Sequence, residues 1–125
     1  VKSCPFCELP SERVIGANEY ALALYDGYPI SLGHVLIIPK RHIASMVEAS
    51  KDEREALFDL LEQIRSELIE KCSPDGFNIG INDGVAAGQT VMHLHVHLIP
   101  RYTGDQSDPR GGVRWIFPEK APYWE

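Results

Sequence analysis

"HLHVHLIPRY", residues 93–102, alternates polar and apolar side chains over its first six positions. A period of two is the mark of a β-strand with one buried face. Alternate residues of a strand point the same way and repeat about 6–7 Å apart. His93, His95 and His97 therefore share one face, and Leu94, Val96 and Leu98 share the other, toward the core. The apolar residues account for the strand but not for the histidines. Three of the chain's five histidines fall within five positions. Neutral imidazole binds zinc through one ring nitrogen, and it titrates near physiological pH. As a nucleophile it needs its other nitrogen held by an acceptor. Metal ligation and nucleophilic or acid–base catalysis both stay open on these residues alone, as does a role in neither.

Outward from this strand, the flanks carry hydrogen-bond donors. "DGVAAGQT", residues 83–90, is a Gly-bearing loop that leads into the histidines. Its backbone N–H groups and the side chains of Gln89 and Thr90 suit an anionic oxygen. Asn82 ends the strand candidate before it, "FNIGIN" (77–82), and points to the same place. His34 follows a glycine at the head of "HVLIIP" (34–39), whose β-branched, mostly apolar run reads as a well-buried strand. Donors with no carboxylate base beside them favour phosphoryl chemistry over a metallohydrolase.

The remaining elements set the fold class. "SKDEREALFDLLEQIRSELIEKC", residues 50–72, is the clearest helix. Ser50 and Glu53 make a capping box, Leu57, Leu61, Ile64 and Leu68 form its buried stripe, and "SPDG" (73–76) ends it. "EYALALYD" (19–26) reads as a further strand, and "DGYPISLG" (26–33) as the loop before His34. The tail over 103–125 is rich in Pro, Gly and aromatics, and its Trp and Phe side chains predict an ordered segment. Several strands with one strong helix predict a single α+β domain over 1–125 with a mainly antiparallel sheet.

Composition narrows the function further. A net charge of −6 argues against binding along a nucleic-acid backbone, which needs an excess of Lys and Arg. A small nucleotide ligand remains compatible, because a few local donors suffice. Three cysteines do not make a disulfide framework, and the C-x-x-C of Cys4 and Cys7 suits a metal half-site. No secretory leader or membrane-length apolar run is visible, so no membrane association and a cytoplasmic location are expected.

Three blocks together resemble a known family. "AGQTVMHLHVHLIPR" (87–101) is similar to the signature of the histidine-triad (HIT) superfamily. "LGHVLIIPKRH" (32–42) resembles its second block, and "ALYDGYP" (23–29) its nucleotide-ribose segment. The resemblance implies a HIT-like fold: a five-stranded, mainly antiparallel sheet with one long helix and a short one, extended across a two-fold homodimer. It implies nucleotide hydrolysis or transfer at an α-phosphate through a nucleotidyl-histidine. On that pattern His95 is the nucleophile, His97 bonds a phosphate oxygen, and His34 supports the charge there. Gln89, Thr90 and Asn82 match phosphate-binding positions, Asp26 the ribose-binding acid, and Leu24 a base-packing residue.

The resemblance also divides labour among the histidines. Some branches pair such a C-x-x-C with the histidine that ends "PKRH" and with the first triad histidine. That implies a structural zinc held by Cys4, Cys7, His42 and His93, with residues 1–10 as its N-terminal segment. Branch assignment is mixed. The Gln-Thr lead-in resembles dinucleoside polyphosphate hydrolases of the fragile-histidine-triad branch, whereas Asp26 and Asn82 resemble the nucleoside phosphoramidases. A zinc-stabilised nucleotide sensor with incidental turnover is the alternative of another class. Arg110 and Arg114 are candidates for the distal phosphates of a dinucleoside polyphosphate.

Overall fold

The computed structural model of the chain describes residues 4–124. Residues 1–3 of the expected N-terminal segment and residue 125 of the tail lie outside the described residues. Along the chain come β1 (Val14–Ala17), β2 (Ala21–Tyr25), β3 (Val35–Pro39), α1 (Lys51–Cys72), β4 (Gly76–Ile81) and β5 (Val96–Arg101). The strands form one sheet in the order β1-β2-β3-β5-β4, antiparallel throughout. This is the α+β architecture expected. Its shorter helical pieces among the described residues are 3-10 turns, such as Met46–Glu48 and Gly112–Ile116.

The helix starts and stops where its sequence says. The Ser50 hydroxyl accepts from the Glu53 N–H at 3.0 Å, and the Glu53 carboxylate accepts from the Ser50 N–H at 2.9 Å. Both satisfy N–H groups that a helix start leaves without partners. Ser73 ends the helix in the left-handed conformation, at φ 50°. The buried stripe holds Leu57, Leu61, Ile64 and Leu68, widened by Ala56 and Leu60. It packs on Ala21, Ala23, Val35, Ile37, Val96 and Leu98, one face of the sheet.

Glycine 16 lets this contact close up. A Cβ there would lie 2.9 Å from Ile64 Cδ1. β1, which contains it, was not legible as a strand: four residues long, it carries a register shift between Val14 and Gly16. The opposite face of the sheet is covered differently. Leu24, Leu36 and Ile38 lie there under Phe6 and Leu9 of the N-terminal segment.

β5 begins later than the alternation predicts, at Val96 rather than His93. β3 ends at Pro39, and the Pro39 carbonyl receives the ring Nε2 of His93 at 2.8 Å. The ladder therefore loses its acceptor to a side chain. The alternation of faces survives: Leu94, Val96 and Leu98 are all buried in the helix-side core. Leu94 N–H instead donates to Ile43 carbonyl at 2.7 Å.

Candidate functional site

The three histidines of the triad separate into two clusters. Upstream of β5, the carbonyl of Pro39 can only accept, so His93 Nε2 carries the proton and His93 Nδ1 carries the lone pair. That lone pair meets Cys4 Sγ at 3.5 Å, Cys7 Sγ at 3.5 Å and His42 Nδ1 at 3.2 Å. Cys7 Sγ lies 3.2 Å from His42 Nδ1. All four ligand atoms fall within 4.8 Å of one another. A tetrahedron with metal bonds of about 2.0–2.3 Å has edges of roughly 3.3–3.8 Å, so the spacing fits four-coordinate ligation. Burial pulls the His93 ring below its usual pKa, with the Pro39 bond opposing and His42 adding to the fall. The ring is thus neutral, as a ligand must be.

The second cluster lies on the sheet face away from α1. The row Leu24, Leu36, His97 and Gly80 crosses four strands in register. Gly80 has no Cβ and leaves open space beside His97. His95 Nδ1 lies 2.8 Å from the His93 carbonyl. Since that oxygen only accepts, His95 Nδ1 is protonated and Nε2 keeps its lone pair. The Ile30 N–H, which only donates, points at His34 Nδ1 at 3.2 Å. His34 Nε2 is then the protonated atom, and it donates to His97 Nδ1 at 3.0 Å. His97 Nε2 in turn carries a proton. Backbone groups thus fix the tautomers of His95 and His34, and His34 fixes that of His97.

Asp26 completes this cluster. Its Oδ1 accepts from Tyr28 N–H at 2.8 Å, and its Oδ2 lies 3.4 Å from His34 Nε2 and 3.9 Å from His97 Nδ1. Burial lowers the pKa of His34, against the pull of Asp26. His97 is lowered by burial first, then by His95 and His34, again against Asp26. These imidazoles are neutral at pH 7. They line a cavity of about 850 Å³ together with Asn82, Thr90 and Phe6.

Two histidine clusters along one stretch of chain, one with the spacing of a four-coordinate metal site and one lining a cavity, match a recognisable family. A HIT domain model matches residues 8–104. The HIT-like protein MG132 of Mycoplasma genitalium is 38% identical over 104 residues, 80% of this chain and 74% of that protein. The chain belongs to the HIT family. Within it, an asymmetrical bis(5'-nucleosyl)-tetraphosphatase of Schizosaccharomyces pombe is 36% identical over 108 residues, 86% of this chain and 59% of that enzyme. The crystal structure of a Zn-bound histidine triad family protein from Mycobacterium smegmatis has a TM-score of 0.76 at 35% identity. It covers 85% of this chain and 80% of that one.

The HIT cavity gathers most of the residues named from sequence. His34, Asp26, Asn82, Thr90, His95 and His97 line it. Two named residues do not. Gln89 is buried, and its amide is spent on the loop: Nε2 donates to the Ala44 and Val91 carbonyls at 2.8 and 3.1 Å, and Oε1 accepts from Gly84 N–H at 2.9 Å. Leu24 is fully buried in the layer beneath the cavity wall, where it packs with Leu36 and Ile38. The surface in its place is Leu36 and Phe6.

Arg110 and Arg114 are likewise committed within the tail. Arg110 binds Asp108 at 3.0 Å, and Arg114 donates to the Ala121 and Lys120 carbonyls. Phe6 is the residue that sequence reading missed. Its ring meets His95 edge-on at 5.2 Å between centroids, and His93 at 5.8 Å. The signal was its place inside C-P-F-C, between the two cysteines of the candidate metal cluster.

Proposed function

We propose that the protein hydrolyses or transfers nucleotides at the α-phosphate of dinucleoside polyphosphates or related nucleoside 5'-phosphate derivatives, through a nucleotidyl-histidine. One observation carries this reading: the His93 carbonyl holds His95 Nδ1–H and leaves Nε2 free toward the cavity. The His95 Nε2 lone pair forms a bond to the α-phosphorus. The bond from phosphorus to the leaving oxygen breaks, and its electrons depart with the leaving phosphate. His97 Nε2–H, held by the His34 relay, hydrogen-bonds the charged oxygens. Water then attacks the phosphorus, the N–P electrons return to Nε2, and one water proton is released. A covalent step divides one hard displacement into two easier ones. Thr90 and Asn82 serve as further phosphate donors, Asp26 as acceptor for the ribose, and Phe6 with Leu36 as the apolar wall for the base.

Zinc at Cys4, Cys7, His42 and His93 belongs to the same proposal, supported by the ligand spacing and by the Zn-bound relative. Four protein donors leave no open position, so its chemistry there is structural. A homodimer joined along β4, an edge strand of the sheet, completes the proposal, and sedimentation as a monomer at micromolar concentration would remove it.

The test compares wild type with His95→Asn on diadenosine tetraphosphate and on adenosine phosphoramidate. Wild type should release AMP and yield an acid-labile adenylyl adduct by intact mass, and the folded variant should be inert. Added inorganic phosphate that diverts product to ADP would mark a transferase. Retained activity in the variant would reassign the nucleophile.

A further inference from the structure

A second cavity, of about 700 Å³, opens beside the histidine cavity. Ile30, Asn78, Ile99 and Gly112 line both, so the two share a wall. Gly112 keeps that wall thin: a Cβ there would lie 3.3 Å from Asn78 Nδ2. The far side of the cavity is built by the C-terminal tail, with Trp115 and Trp124 on it and Tyr102 of the β5 end beside them.

The tail is fastened by its own bonds. Arg101 holds Asp105 through two contacts of 2.8 Å and Asn78 at 2.7 Å. Trp115 Nε1 donates to the Arg110 carbonyl at 2.8 Å. The Arg110 guanidinium lies 4.4 Å from the centre of the Trp124 ring. The cavity is thus a fixed part of the fold.

Its chemistry differs from that of its neighbour. The arginines here are already paired, Arg101 with Asp105 and Arg110 with Asp108. Phosphate would find little uncompensated positive charge. What the wall offers is flat aromatic surface. A planar ring system suits that surface, by stacking on indole. The volume lies in the range of small-ligand sites, about 300–1,000 Å³.

We infer that the tail cavity is the subsite for the departing half of a two-ended substrate. A second nucleoside stacks its base on Trp115 there, and the phosphate chain crosses the shared Asn78–Gly112 wall to His95. This rests on the nucleotidyl reading above and assigns the leaving side to residues outside the histidine signature.

The chain has two tryptophans, and both line this cavity while neither lines the other. Tryptophan emission therefore reports the tail cavity alone. In the His95→Asn variant, which holds substrate without turnover, diadenosine tetraphosphate should quench that emission. AMP, bound to saturation by calorimetry, should leave it unchanged. Equal quenching by AMP, or tight binding of the tetraphosphate without quenching, overturns the inference. If neither ligand binds, the nucleotidyl reading itself fails and takes this inference with it.

Substitution gives an independent check. In Trp115→Ala the ratio of kcat/KM for diadenosine tetraphosphate over adenosine phosphoramidate should fall about 5- to 150-fold, the effect of losing one base–aromatic stack. Trp115→Phe, which keeps an aromatic face, should restore most of the ratio. A ratio unmoved by Trp115→Ala assigns the leaving half elsewhere.

Discussion

His97 sits between opposed influences. Burial and the neighbouring rings push its pKa down, and the Asp26 carboxylate pulls it up. His34 feels the same two causes, burial first. Asp26→Asn removes the opposing charge, so both rings should titrate at lower pH still. Ring-proton NMR shifts against pH would show it, and an upward move would sink the assignment. The sign for stability follows from linkage. The folded rings sit below their ordinary value of 6.5, so between those values the unfolded chain binds more protons. Their contribution is full above pH 6.5 and declines as pH falls below it. Gln89 makes a second residue-scale case. With its amide bonded to three backbone groups, Gln89→Ala should cost about 1–3 kcal/mol in urea unfolding. Unchanged stability with lost turnover would instead return Gln89 to the phosphate.

The helix start does two jobs at the scale of an element. Ser50 and Glu53 cap α1, and Glu53 also receives Arg41 at 2.7 and 3.1 Å. Arg41 precedes His42 of the Cys4–Cys7–His42–His93 cluster, so the helix N-terminus braces the loop that carries that ring. The Arg41 bonds, with those from Ser50, hold the buried Glu53 carboxyl down at about 2 from its ordinary 4.5. A depressed carboxyl stabilises above its unfolded pKa, and that contribution is lost as pH falls from about 4.5 toward 2. Glu53→Gln should be less stable than wild type by about 1–3 kcal/mol near neutral pH. The gap should narrow as pH drops through that window, and thermal melts at several pH values measure it. A constant gap would mean that packing, and not charge, is what Glu53 supplies.

At the scale of the whole molecule, the Cys4–Cys7–His42–His93 cluster brings three distant segments together. Cys4 and Cys7 come from the N-terminal segment, His42 from the loop after β3, and His93 from the approach to β5. Phe6 lies between the two cysteines and covers the sheet face that holds Leu24, Leu36 and Ile38. On the zinc proposal, losing the metal should free that cover and lower stability together. A chelator should reduce the melting temperature, zinc should restore it and magnesium should not, because thiolate and imidazole prefer the softer ion. A melting temperature indifferent to chelation would leave Cys4 and Cys7 as a reduced surface pair. No helix among the described residues is long and apolar enough to cross a membrane.

Local pattern alone was enough for much of this protein. The capping box, the leucine stripe and the alternation of Leu94, Val96 and Leu98 each follow from side-chain period, which is a property of neighbours in sequence. The C-x-x-C and the triad were legible for the same reason, since ligand chemistry is written in residue type and spacing. β1 was not, because four residues with a bulge and a glycine carry no period, and only the α1 surface explains Gly16. Tertiary structure alone decided which ring nitrogen of each triad histidine carries the proton. One alternating run placed three identical rings on one face. The carbonyls of Pro39 and His93 set the protons of the first two, and the N–H of Ile30 sets that of the third through His34, contacts that form only once the loops and strands have folded around them.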